Sequence, residues 1–166
     1  MLIVLGGLPG VGKTTIARQL ARAMGAVHVR IDSIEQSLRT AGWKVESEGY
    51  AVAHAVAEDN LQLGLTVIAD CVNPWPLTRS EWRSVADRAG VRVIEVEIIC
   101  SDTDEHRRRI ESRRADLADH RLPTWAEVLG RDYRAWNGQR LVIDTAGRDV
   151  EECVHQILLA ATPPAT

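Results

Sequence analysis

Gly7-Leu8-Pro9-Gly10-Val11-Gly12-Lys13-Thr14 fits the spacing G-x-x-x-x-G-K-[ST] and directly follows the apolar run Leu2-Ile3-Val4-Leu5. Few patterns constrain a fold this tightly. It works only where a buried strand hands the chain to a tight loop and the loop opens a helix. The glycines allow positive φ and a close approach to a bound group. Backbone N–H groups then converge on an anion, and the helix N-terminus adds its partial positive charge. Ile16, Ala17, Leu20, Ala21 and Met24 supply the helical spacing behind the loop, and Gly25 is a stop. On this chemistry Gly7, Gly10, Val11, Gly12, Lys13, Thr14 and Thr15 hold nucleotide phosphates. Lys13 reaches the β- and γ-phosphates, and the Thr14 hydroxyl ligates Mg²⁺. Lys13 is one of two lysines, with Lys44, among 20 basic residues, the rest being arginines.

The rest of the chain keeps the same rhythm. Val27 to Ile31 alternates and reads as a second strand ending at Asp32. Helices follow over Ser33–Thr40 and Tyr50–Leu63. Thr66 to Ala69 is a third strand ending at Asp70. Thr78-Arg79-Ser80-Glu81 is a capping box opening a helix to Ala89. Val91–Ile99 is a fourth strand, Thr103–Arg114 an arginine-rich helix, and Leu141–Ile143 a fifth strand before a last helix, Asp149–Ala161. A second capping box, Thr124 to Glu127, opens a helix expected to carry both Trp125 and Trp136. Strands alternating with helices predict an α/β fold: a five-stranded parallel sheet covered on both faces, a three-layer αβα sandwich. One domain is expected over residues 1–162, with 103–124 as an arginine-rich lid and 163–166 as a frayed tail.

Ligands of such folds sit at the carboxyl ends of the strands. Asp32 and Asp70 should therefore face the phosphates. Asp70 closes an apolar strand and could hold Mg²⁺; Asp32 could take the proton of an attacking hydroxyl. Each could instead be a helix N-cap. Arg107, Arg108, Arg109, Arg113 and Arg114 crowd one helix, and Arg109 and Arg113, four apart, share a face. Together they could neutralise a transferring phosphoryl group, while Arg107 could touch the nucleotide. A solvated helix face is the plainer alternative. Arg39, Asn73 and Trp75 are candidates for the acceptor pocket. Asp144-Thr145-Ala146-Gly147 imitates a GTPase switch but lies too late in the chain, so it reads as a strand exit whose Thr145 contacts nucleotide. His28, His54, His106, His120 and His155 show no ligand spacing and read as structural.

Composition excludes other classes. Hydrophobic residues make up 45% and charged residues 26% of 166, and the net charge is −3. No apolar run approaches the ~18 residues of a membrane span. Cys71, Cys100 and Cys153 form no CxxC pair, which argues against disulfides or zinc and for a reducing cytoplasm. No basic segment precedes the first strand, so no secretory leader is expected. The arginine stripe lacks interleaved aromatics, which argues against nucleic acid.

The P-loop, Ile31-Asp32-Ser33, Val67-Ile68-Ala69-Asp70 and the arginine helix together resemble the P-loop small-molecule kinases, chloramphenicol phosphotransferase nearest, with zeta-type toxins and polynucleotide 5′-hydroxyl kinases as relatives. The resemblance implies a P-loop NTPase fold of the kinase type with the loop strand central. It implies ATP and Mg²⁺, transfer of the γ-phosphoryl group to a small hydroxyl compound, Asp32 as base, and lid arginines within Arg107–Arg114. Asp32-Ser33-Ile34-Glu35 departs from the Asp-x-x-Arg of the polynucleotide kinases and leans toward a small molecule. A polynucleotide 5′-hydroxyl kinase and a non-catalytic nucleotide-binding module remain the alternatives.

Overall fold

The computed structural model describes residues 1–119 and 121–162. His120 and the 163–166 tail, expected to be structural and frayed, lie outside the described residues. Five strands, β1 (Leu2–Gly6), β2 (Val27–Arg30), β3 (Val67–Asp70), β4 (Val93–Ile99) and β5 (Leu141–Asp144), form one parallel sheet in the order β2-β3-β1-β4-β5. The loop-bearing strand is central, as the resemblance implied. Every residue of β1 is buried, as befits a strand paired on both edges and covered on both faces.

The period of two in β1 separates two cores. Ile3 and Leu5 pack with α1 (Lys13–Met24) and α7 (Val150–Ala161) on one face. Leu2 and Val4 pack with α3 (Glu48–Gln62) and α4 (Pro76–Arg88) on the other. Each fully buried Leu or Ile contributes about 1.5–3 kcal/mol, so this short strand anchors both layers. Because all strands run the same way, their carboxyl ends share one edge. The register aligns Leu5 with Asp70, Asp70 with Arg30, and Ile99 with Asp144.

Several boundaries differ from the sequence reading. β2 stops at Arg30, and Ile31 already opens α2 (Ile31–Thr40). Asp32 therefore sits in a helical first turn, where a carboxylate complements the helix dipole, and not at a strand end or N-cap. α4 begins at Pro76, before the expected capping box, because proline has no N–H to satisfy at a first helical position. Thr78 lies inside that turn and donates to the Trp75 carbonyl at 2.9 Å. α5 (Thr103–Ser112) ends before Arg113. The Thr124–Glu127 capping box is present, but α6 (Trp125–Leu129) stops at Gly130. Trp136 is thus not on the helix of Trp125; it lies in the loop before β5, buried against Gly6.

Candidate active site

The loop between β1 and α1 is shaped by what surrounds it. A Cβ on Gly7, at φ 146°, would stand 2.2 Å from the Ile98 carbonyl oxygen, so no side chain fits. Gly12, at φ 99°, is the N-cap that turns the chain into α1. Lys13 follows, 8% exposed, its Nζ donating to the Leu8 carbonyl at 2.8 Å. Burial pulls the Lys13 pKa below the usual lysine value, with Asp70 and Asp32 opposing that pull. α5 braces the loop from outside: His106 Nε2 donates to the Pro9 carbonyl at 2.8 Å, and Trp125 packs edge-on against the imidazole.

The loop opens on a cleft of about 890 Å³, ample for a nucleotide with a small second ligand. Thr14, Thr15, Lys13, Asp32, Asp70 and Arg113 all line it. The two carboxylates have opposite surroundings. Asp70 is 3% exposed and bonded to His28 Nε2 at 3.3 Å. Burial alone would raise its pKa, but His28, Lys13 and the Thr14 hydroxyl outweigh it and hold the group below its ordinary value. The Asp32 side chain is 42% exposed and meets the cleft directly.

The expected residues divide. Trp75, Arg39, Arg109 and Thr145 reach the cleft wall together with the groups above. Arg39 is paired with Glu35 at 2.8 Å. Trp75 bonds Asp132 through Nε1 at 3.1 Å. Arg109 is held by Glu105 and by Thr145, donating to its hydroxyl at 2.8 Å and its carbonyl at 2.9 Å. The Thr145 hydroxyl also lies 3.0 Å from the Val11 carbonyl, tying the exit of β5 to the loop. Arg109 and Arg113 do not share a helix face, because Arg113 is the extended C-cap of α5. Arg113 is half-buried, and its side chain makes no hydrogen bond or ion pair among the described residues.

Four candidates stand apart from the cleft wall, of which Gly7 and Val11 are buried within the loop itself. Arg107 is exposed and turned to Glu111 at 2.8 Å, outside the cleft. Asn73 is fully buried behind the wall, not on it, with its side-chain amide lacking partners among the described residues.

Three residues escaped the sequence reading. Arg30, at the end of β2, joins Asp116 in a two-pronged pair, Nη1–Oδ2 2.7 Å and Nη2–Oδ1 3.1 Å. Asp116 also accepts from Arg18 at 2.7 Å, and these arginines hold its carboxyl well below the usual range, against partial burial. His28 supports Asp70 from the same strand. A polar side chain at each alternate position of an otherwise β-branched strand, His28 and Arg30, was the available signal.

Comparison with known proteins agrees with this geometry. A family model described as an AAA domain, AAA_33, matches residues 2–131. A shikimate kinase of Frankia casuarinae is 32% identical, over 98% of this chain and 73% of the relative. A candidate kinase of Chloroflexus aurantiacus superposes with a TM-score of 0.75 at 22% identity, covering 95% of this chain and 96% of that one. The APS kinase of Mycobacterium tuberculosis, solved with AMPPNP and APS, superposes with a TM-score of 0.68 at 18% identity, covering 97% of each chain. None of these three is a chloramphenicol phosphotransferase. The structural likenesses speak for the fold, while the family match and the sequence relative speak for descent. The chain belongs to the AAA_33 family and is an ATP-dependent P-loop kinase.

Proposed function

We propose that the chain moves the γ-phosphoryl group of ATP to a hydroxyl of a small molecule, with Asp32 as general base. One observation carries this: the half-exposed Asp32 carboxylate opens into the same cleft as Lys13 and Thr14. A purely nucleotide-binding module needs no such group there. The relatives named for shikimate and APS kinase activity support a small acceptor.

The donor set suits Mg²⁺. Asp70 is held ionised, and the Thr14 hydroxyl faces it. No group of three or more His, Cys, Asp or Glu side chains is arranged for a metal among the described residues. Mg²⁺ needs no such cage, since it takes one or two carboxylates and keeps phosphate and water oxygens. When bound it would neutralise charge between the β- and γ-phosphates. The chain's own groups do the rest. Lys13 leaves the Leu8 carbonyl for phosphate oxygen. Arg113, whose side chain has no partner among the described residues, meets the charge spreading over the transferring group. Asp32 accepts the acceptor's hydroxyl proton as the oxygen attacks. Arg109 holds α5 against the exit of β5, so that the segment behind it closes over the cleft as a lid and excludes water.

Three free thiols suit a reducing cytoplasm, where we place the protein. No helix among the described residues is long and apolar enough to cross a membrane.

Asp32→Asn tests the base. AMPPNP affinity measured by calorimetry should stay close to wild type, while transfer falls by about 10²–10⁴-fold. Unchanged transfer would remove Asp32 from the chemistry.

A further inference from the structure

Arg30 is a buried cation beside Asp32. Its side chain is 7% exposed, and three carboxylates surround it. Asp32 lies 3.5 Å from Nη2, Asp70 lies 3.9 Å from Nε, and Asp116 takes both prongs of the fork. Nε itself is buried and makes no hydrogen bond among the described residues.

The three carboxylates differ in origin. Asp70 and Asp32 are built into the floor, one at the end of β3 and one in the first turn of α2. Asp116 comes from 86 residues away, on the stretch between α5 and α6. Its carboxylate is 38% exposed, so it sits on the solvent side of Arg30. Arg18 also reaches it, and Arg113 stands close enough to feel both Asp116 and Asp32. A loop carboxylate is thus clasped by arginines immediately beside the group that takes the hydroxyl proton. Two parallel N–H···O contacts to a planar two-oxygen group are the geometry by which an arginine recognises any carboxylate, tethered or free.

We propose that Asp116 stands in for a carboxylate of the acceptor: the acceptor is a small hydroxy acid whose carboxylate takes the Arg30 fork and displaces Asp116. The hydroxyl's fate rests on the phosphotransferase reading above, but recognition of the acid needs no turnover. A neutral acceptor would leave the Arg30–Asp116 pair intact and gain nothing from Arg30. An acid exchanges one charge-assisted pair for another at small net cost and brings its own hydroxyl beside Asp32. Displaced, Asp116 no longer ties its segment to Arg18 and Arg30.

Because Asp116 is tethered, it competes with the acid. The two partners of this ion pair should therefore have opposite effects when removed. Losing Asp116 removes a competitor; losing Arg30 removes the site. If the pair only braced the fold, both losses would weaken binding alike.

The experiment is calorimetric titration of the full chain, loaded with AMPPNP and Mg²⁺. The probes are D-glycerate, D-gluconate and L-tartrate, each against its neutral polyol: glycerol, D-glucitol and L-threitol. At least one acid should bind and its polyol should not. Asp116→Asn should bind that acid about tenfold more tightly and Arg30→Gln at least about tenfold more weakly, as expected when the competent state is freed or lost. Asp116→Ala repeats the first test without an amide that could bond Arg30, and thermal melts confirm that each variant is folded. A polyol binding as well as its acid overturns the proposal. So does an Asp116 variant that binds the acid no better than wild type, or the failure of every acid while AMPPNP still binds. Failure of AMPPNP itself to bind would instead overturn the nucleotide site, so the two readings fail separately.

Discussion

Lys13 and Arg30 are both cations buried at the carboxyl edge of the sheet, yet only Lys13 could be read from its neighbours in sequence. Its spacing within the loop is local, so the motif alone announced it. Arg30 is defined by Asp116, 86 residues away, and no local period encodes such a pair. The same holds for His28, whose meaning comes from the Asp70 carboxylate on the adjacent strand. Lys13→Ala should weaken ATP binding by about tenfold to a hundredfold, the value of a lost hydrogen bond to a charged group; calorimetry measures it. His54 gives a second, independent test. It stands edge-on to Trp82 at 4.4 Å with Nε2 buried and lacking a partner among the described residues. Burial, helped by Arg88, pushes its pKa from 6.5 down to about 4. Between those values the unfolded chain binds a proton that the folded chain refuses, so this contribution is complete above pH 6.5 and is lost as the pH falls toward 4. Urea midpoints should drop over that window in wild type and drop less in His54→Gln.

At the scale of elements, periodicity revealed which segments are strands and helices but not where each begins. α4 starts at Pro76 because a proline at the first position outcompetes the Thr78–Glu81 pattern. Trp136 is not on the helix of Trp125: α6 ends at Leu129 with Gly130 as its cap, and the following loop is held from outside itself. Arg79, on α4, does the holding. It donates to the carbonyls of Asn73 and Pro74 at 3.1 Å each, Ala135 at 3.1 Å and Arg134 at 2.6 Å, and stacks on Trp136 at 4.3 Å. One guanidinium thus joins the loop after β3, which carries Trp75, to the loop before β5. Arg79→Ala removes a donor from four carbonyls, of which Pro74 keeps the Arg134 N–H, and should cost about 3 kcal/mol, read from denaturant unfolding. Arg79→Lys, keeping charge but not the planar fork, should recover only part of it. An alanine variant as stable as wild type would show that the two loops hold without this link.

Across the whole molecule, alternation of strands and helices was enough to predict a parallel sheet, because parallel strands need crossover helices. It could not predict the order β2-β3-β1-β4-β5; the central place of β1 came from resemblance to kinases. That order matters to function. It sets the loop of β1 between Asp70 on one side and the exits of β4 and β5 on the other, so one cleft receives groups from strand ends distant in sequence. The candidate site was half visible for that reason. Residues acting through backbone shape or at strand ends could be placed beforehand. Residues acting through contacts across the cleft, Arg30, Arg18 and Asp116, could not.

In the proposed reaction this cleft passes the terminal phosphoryl group of ATP to a small hydroxyl compound. Incubating the protein with Mg²⁺, a pool of small hydroxy compounds and ATP labelled at the γ-phosphate, then resolving the label by chromatography, measures it directly. Wild type should place the label in an organic phosphate ester, and Asp32→Asn should place almost none there. Label that stays in ATP, or appears only as inorganic phosphate whatever acceptors are supplied, would contradict it.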